Sequence, residues 1–278
     1  MNSKEDSYPY TLPLNVIAHL STLLNVLCGI FGINAAIEKD FELGMWFLIL
    51  GAIFDFLDGK LAKMVPTESD LGVYLDSAAD VVTFAVLPGY LLLKSEKLIN
   101  IVSINILGFN FATALLIAAF FAVCGWFRLM RFAMAPTGFY FEGLPAPAAA
   151  IIEASFCVLS QYSKWNWVFG SELVLSSLTV IISILMITKI PFPSFKGLTT
   201  VDKISILIGG GFLLTYLIRP GVFFASIVMV TFLFYAVGGF YYLYLSRVQR
   251  TWIHEVIKYI LLGIYPSLII IVAFISSS

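Results

Sequence analysis

Long apolar runs broken by short polar stretches dominate the chain. A membrane-spanning helix needs about 20 mostly apolar residues. That rule predicts spans near 16–36, 42–63, 71–93, 104–132, 143–161, 168–189, 202–218, 221–245 and 256–275. The expected architecture is therefore all-α: a polytopic membrane bundle of eight to nine transmembrane helices. The fourth span is the least regular. The apolar run from Leu98 to Met134 is too long for one crossing, so its first part reads as a surface or re-entrant piece. The seventh is short and interrupted by Gly209–Gly211, which equally suits close packing against a neighbouring helix. Residues 1–15 carry aromatics and prolines and read either as an interfacial anchor or as a plain tail.

Composition agrees with the pattern. Of the 278 residues 60% are hydrophobic and 12% charged, and the mean hydropathy is +0.96. Soluble domains run at about 45–50% apolar and about 25% charged, so the chain belongs in a lipid bilayer. A net charge of −1 leaves no basic field for a nucleic-acid partner. Cys28, Cys124 and Cys157 lie singly in apolar runs, without the pairing of a disulfide framework or a zinc site. With the N-terminus inside, eleven Lys and Arg residues fall on the cytoplasmic side and five outside, which favours that orientation.

Against this background one stretch is anomalous. DFLDGKLAKMVPTESDLGVYLDSAAD, residues 55–80, sets four aspartates at the facing ends of the second and third spans. Asp55 and Asp58 are three apart and share a helix face; Asp76 and Asp80 are four apart and share another. At 1.5 Å rise per residue, Asp58 and Asp76 lie roughly 7–8 Å in from the cytoplasmic turn, and Asp55 and Asp80 roughly 12–14 Å. Two antiparallel helices would thus gather four carboxylates in one small volume. Each charge at a helix centre costs about 2.5–3.5 kcal/mol, so four approach about 10 kcal/mol before mutual repulsion. Lys60 and Lys63 can offset part of this. Hard divalent cations, which take carboxylate oxygens and share them with phosphates, are the better match. A solvated vestibule with ordinary ion pairs is the plainer alternative. Gly59 suits the close approach of a ligand to the backbone or of another helix; Gly72 reads the same way.

The spacing Asp55-x2-Asp58-Gly59-x2-Ala62-Lys63-x8-Gly72-x3-Asp76-x3-Asp80 resembles the signature of the CDP-alcohol phosphotransferases, with seven of its eight fixed positions matched. The exception is Lys63, where that family has arginine; lysine keeps the charge but not the planar fork that grips phosphate through two bonds. TLLNVLCG (22–29), FRLMRF (127–132), FEGLPAPAAA (141–150) and KIPFPSFK (189–196) are similar to blocks in the phosphatidylserine synthases of bacterial and archaeal membranes. Where those enzymes have Pro-Asn before the first-span threonine, this chain has Ala18-His19.

The resemblance implies a six-helix catalytic core over residues 16–200, with further transmembrane helices over 201–278. It implies transfer of a phosphatidyl group from CDP-diacylglycerol, or an ether-linked archaeal counterpart, to the hydroxyl of L-serine, with release of CMP. It also implies two divalent ions, magnesium or manganese. Asp55, Asp58 and Asp76 would hold one; Asp55, Asp76 and Asp80 the other. Asp80 would be the general base, and Gly59, Lys63 and Ser69 would touch the CDP headgroup. A homodimer is an open expectation.

The residues themselves add Arg128 and Arg131, three apart near the cytoplasmic end of the fourth span, as candidates for the serine carboxylate or as anchors under the positive-inside rule. Glu142 and Glu153 are candidates for the serine ammonium or for pairing with those arginines. Two rivals stay open. One is the same transfer to inositol phosphate, glycerol phosphate or another alcohol. The other is a cation-coupled transporter, which would need polar residues on both sides of the midplane, whereas this acidic cluster is confined to one half.

Overall fold

The computed structural model describes residues 11–62, 70–95, 103–106, 109–134, 140–162, 171–193, 221, 224–233 and 236. Its first unit is a long helical hairpin, α1 (Thr11–Ile37) and α2 (Phe41–Ala62). The turn between them is tight for local reasons. Lys39 takes the left-handed conformation (φ 60°), and the Asp40 carboxylate accepts the Leu43 N–H at 3.0 Å, capping α2. Phe31 and Phe47 meet across the hairpin with ring centroids 5.7 Å apart.

A second rod returns along the first. It runs as α3 (Asp70–Val81), a π-helical turn over Val82–Val86, and α4 (Leu87–Lys94). The Leu87 N–H reaches back to the Val82 carbonyl, the wide step that defines the π turn. Pro88 gives a reason for it. A proline ring collides with the carbonyl four residues earlier, and widening the preceding turn relieves that contact. The π turn begins two residues after Asp80, so it sets where the acidic face of α3 stands relative to α4.

Two short antiparallel ladders accompany the helices. β1 (Ser103–Ile106) pairs with β2 (Phe109–Ala112), with Ser103 opposite Ala112. α5 (Thr113–Met134) follows directly. β3 (Tyr140–Glu142) pairs with β4 (Pro191–Pro193), bracketing α6 (Ala146–Ser160) and α7 (Glu172–Ile187). α8 spans Phe224–Leu233. The bundle is thus helical but not purely so. The expected span 104–132 is a hairpin over 103–112 followed by a helix. Its sequence, SINI and FNFA, alternates polar and apolar residues with the period of a strand.

α6 lies at the centre. Fourteen of its fifteen residues are buried, and Ala146, Ala148, Ala149, Ala150 and Ala154 let α2, α4 and α7 approach closely. Cys28, Cys124 and Cys157 are free and buried, as packing residues. Among the described residues, three stretches are long and apolar enough to cross a bilayer: His19–Ile37, Leu75–Lys94 and Thr113–Met134. Their outer faces remain greasy, as with Leu23 and Phe31 on α1 and Val123, Trp126 and Phe127 on α5. α2 has the length, 22 residues, but carries Asp55, Asp58 and Lys60. The predicted spans 202–218 and 256–275 lie outside the described residues.

Candidate active site

The hairpin and the returning rod bring the acidic residues together. Carboxylate oxygens of Asp55 on α2 and of Asp76 and Asp80 on α3, one from each, lie within 4.8 Å of one another, and all three residues are half-buried. Asp58 is buried and close enough for its charge to act on Asp55 and Asp76. Two ionised carboxylates 4.8 Å apart repel by about 3.5 kcal/mol at an effective dielectric of 20. If all three are ionised, the pairs among Asp55, Asp76 and Asp80 oppose folding by about 10 kcal/mol, a cost that a cation between them removes.

The donor set fits such a cation. All the groups are hard oxygens, the preference of magnesium and manganese. Oxygens that share one magnesium at about 2.0–2.1 Å stand about 2.9–4.2 Å apart, so the group would draw inward to close the shell. One further oxygen points the same way: Asp58 Oδ1 is buried with no hydrogen-bond partner. A buried polar atom left bare costs about 1–3 kcal/mol, more when charged, and a cation removes that cost.

α1 supplies no carboxylate but holds two of them. The Thr22 hydroxyl donates to Asp58 Oδ2 at 3.1 Å, and the Asn25 amide donates to Asp80 Oδ1 at 3.0 Å. Thr83, in the π turn, donates its hydroxyl to the Asn25 backbone carbonyl at 3.0 Å. The close packing that permits this depends on two glycines. A Cβ on Gly29 would stand 2.7 Å from Thr83 Oγ1, and one on Gly51 2.5 Å from Thr83 Cγ2. Gly59 is different: a Cβ there would meet nothing within 4 Å, and the residue is exposed. Helix packing among the described residues does not account for that glycine.

The two arginines separate. Arg128 is 6% exposed, lies 5.4 Å over the Phe132 ring, and its charge acts on Asp55. Arg131 turns to backbone carbonyls. It donates to those of Ile187 (2.8 Å), Thr188 (3.3 Å), Met186 (3.4 Å) and Glu142. It thereby caps the negative end of α7 and ties it to the strand before α6. The blocks FRLMRF, FEGLP and KIPFP meet there. Gly143, at φ +77°, belongs to the same knot: a Cβ would run into the Met186 and Thr188 carbonyls and the Arg131 guanidinium. Glu153 is wholly buried on α6 and accepts the Thr179 hydroxyl of α7 at 2.7 Å. His19 is exposed. Lys63 and Ser69 lie outside the described residues.

Sequence reasoning did not single out Asn25 or Thr83. The available signal was a polar residue in an apolar helix, one turn beyond Thr22.

The family model described as CDP-alcohol phosphatidyltransferase matches residues 15–192, and the chain belongs to that family. Among curated proteins, the CDP-diacylglycerol–serine O-phosphatidyltransferase of Helicobacter pylori strain 26695 is 30% identical over 201 residues, 70% of this chain and 79% of the relative. The protein of the same name from Methanocaldococcus jannaschii is 35% identical over 181 residues, 65% and 75% of the two chains. That from Bacillus subtilis is 32% identical over 187 residues, covering 66% of this chain and 93% of the relative.

Proposed function

We infer that this chain is a CDP-diacylglycerol–serine O-phosphatidyltransferase. The observation that carries the chemistry is the convergence of Asp55, Asp58, Asp76 and Asp80 between two membrane helices. The acceptor is carried by the names of its relatives.

In this reading Asp80 takes the proton from the serine hydroxyl. The oxygen then attacks the phosphorus that bears the diacylglycerol. The bond from that phosphorus to the bridging oxygen breaks, and CMP leaves with the electron pair. Phosphoryl transfer is mainly positioning and charge stabilisation. Two divalent ions, held by Asp55, Asp58 and Asp76 and by Asp55, Asp76 and Asp80, would supply the charge that stabilises the pyrophosphate as it splits. The tight grouping of Asp55, Asp76 and Asp80 supports the second set; the bare oxygen of Asp58 supports its share in the first.

Gly59 leaves room for the CDP headgroup, with Lys63 and Ser69 in the connection beside it. Of the two arginines, Arg128 is the better placed for an anionic substrate group, because it is buried within electrostatic reach of Asp55. Arg131 acts as scaffold. The family match over 15–192 supports a catalytic core over residues 16–200. The hydropathy of the remainder supports eight to nine spans in all, with the site on the cytoplasmic side.

The test is CMP release from purified protein given CDP-diacylglycerol, magnesium or manganese, and a panel of alcohols. Release that requires serine is the expected result. Release with inositol phosphate or glycerol phosphate instead would change the acceptor. No release with any acceptor, accompanied by ion flux in liposomes, would favour a transporter.

A further inference from the structure

α1 is an apolar helix whose buried polar side chains need a reason. Asn25 is completely buried. An amide buried there needs hydrogen-bond partners; its nitrogen has found one in a carboxylate of the acidic cluster, while its Oδ1 has none among the described residues. Two hydrogen bonds fix Asn25. Its Nδ2 donates to Asp80 Oδ1 at 3.0 Å. Its backbone carbonyl accepts the Thr83 hydroxyl at 3.0 Å, from the same rod three residues beyond Asp80. Its Oδ1 lies against α2 where Gly51 makes room; a Cβ there would stand 3.1 Å away. The amide cannot usefully turn over, because an ionised carboxylate only accepts, so the nitrogen must face Asp80.

We propose that Asn25 is a positioning residue for Asp80, fixing one carboxylate oxygen so that the other is held toward the acceptor hydroxyl. This rests on the transferase reading above. Thr22, one turn earlier on α1, does the corresponding work for Asp58, leaving Asp58 Oδ1 free for a cation. The two residues therefore divide along the roles of the carboxylates they hold. Asn25 governs the rate of transfer, and Thr22 governs affinity for the ion.

The experiment uses full-length protein in nanodiscs, with CMP release measured at saturating manganese and manganese binding measured separately by electron paramagnetic resonance. Wild-type release with serine tests the transferase reading itself; if no acceptor supports release, that reading and this proposal fall together. Given wild-type turnover, Asn25→Leu is expected to lower kcat about 10–100-fold, the usual effect of removing an outer-shell partner. KM for the CDP-lipid stays close to wild type, and the loss of rate persists at saturating manganese. Asn25→Ala, which removes the donor without adding a charge, does the same, and Asn25→Gln recovers part of the rate. Thr22→Val gives the opposite split: weaker manganese binding, with kcat nearly restored at saturation. Wild-type kcat in Asn25→Leu would overturn the assignment. So would a loss of rate wholly explained by weaker manganese binding, or failure of both Asn25→Leu and Asn25→Ala to fold.

Discussion

Asp80→Asn separates the two demands the site makes on one carboxylate. The change is nearly isosteric, so packing against Asn25 and the π turn survives. With Oδ1 kept toward Asn25, the new amide can still accept that hydrogen bond. What changes is charge. Asp80 stands within 4.8 Å of Asp55 and Asp76, and each ionised pair repels by about 3.5 kcal/mol at an effective dielectric of 20, so losing two pairs relieves about 7 kcal/mol when all three are ionised. In EDTA the variant should therefore melt several degrees above wild type. Added manganese should raise the wild-type midpoint more than the variant's, because the ion has less repulsion left to neutralise. Turnover should fall by about 10²–10⁴-fold, the range for loss of a positioned base. Thermal melting in detergent with and without manganese, beside CMP release at saturating manganese, gives both readings. Wild-type turnover would refute the base assignment. An unchanged melting point in EDTA would refute the claim that these carboxylates strain one another.

Three further outcomes follow from the same contacts. Arg131→Met removes the donor shared by the carbonyls of Glu142, Met186, Ile187 and Thr188. It should cost about 2–4 kcal/mol of stability and leave KM for serine unaltered in the folded fraction; a raised KM at normal stability would return Arg131 to the substrate site. Gly51→Ala places a methyl group 2.5 Å from Thr83 Cγ2 and 3.1 Å from Asn25 Oδ1. Overpacking of this kind costs about 1–3 kcal/mol, and kcat should fall with little change in manganese binding, so an unperturbed kcat would show that α1 need not sit so close. Glu153→Gln keeps an oxygen for the Thr179 hydroxyl and should retain turnover within about twofold, as for a buried residue outside the chemistry. A large loss of rate at unchanged melting point would draw Glu153 into the mechanism.

The acidic cluster was legible in the sequence because helical spacing converts directly into depth and facing. Asp55, Asp58, Asp76 and Asp80 could be placed at matched levels from 1.5 Å per residue alone. The hairpin over 103–112 was not read, although SINI and FNFA alternate, because hydropathy averaged over a span-length window erases a period of two. The division between Arg128 and Arg131 was also out of reach. Three residues of spacing put both on one helix face, and only the end of α7 decides that one guanidinium meets carbonyls while the other stays buried beside the cluster. Asn25 was hidden differently. Its partner Asp80 is 55 residues away, and nothing local distinguishes a buried asparagine that orients a carboxylate from one that joins two helices.

The fold explains why four negative charges can be tolerated at one place. Asp55 and Asp58 belong to a hairpin pinned by its own turn, and Asp76 and Asp80 to a rod that could slide or rotate away to relieve repulsion. What prevents that relief is α1. Thr22 holds Asp58, Asn25 holds Asp80, and Thr83 fastens the π turn to the same helix between two glycines. Each link is worth only about 0.5–3 kcal/mol, comparable with one pairwise repulsion, so no single link suffices and the three must act together. The carboxylates are thus held close to one another before any cation arrives. Preorganised charge of that kind costs no reorganisation at the moment of reaction, which is the physical advantage a phosphatidyl transferase gains from a first helix that carries no ligand.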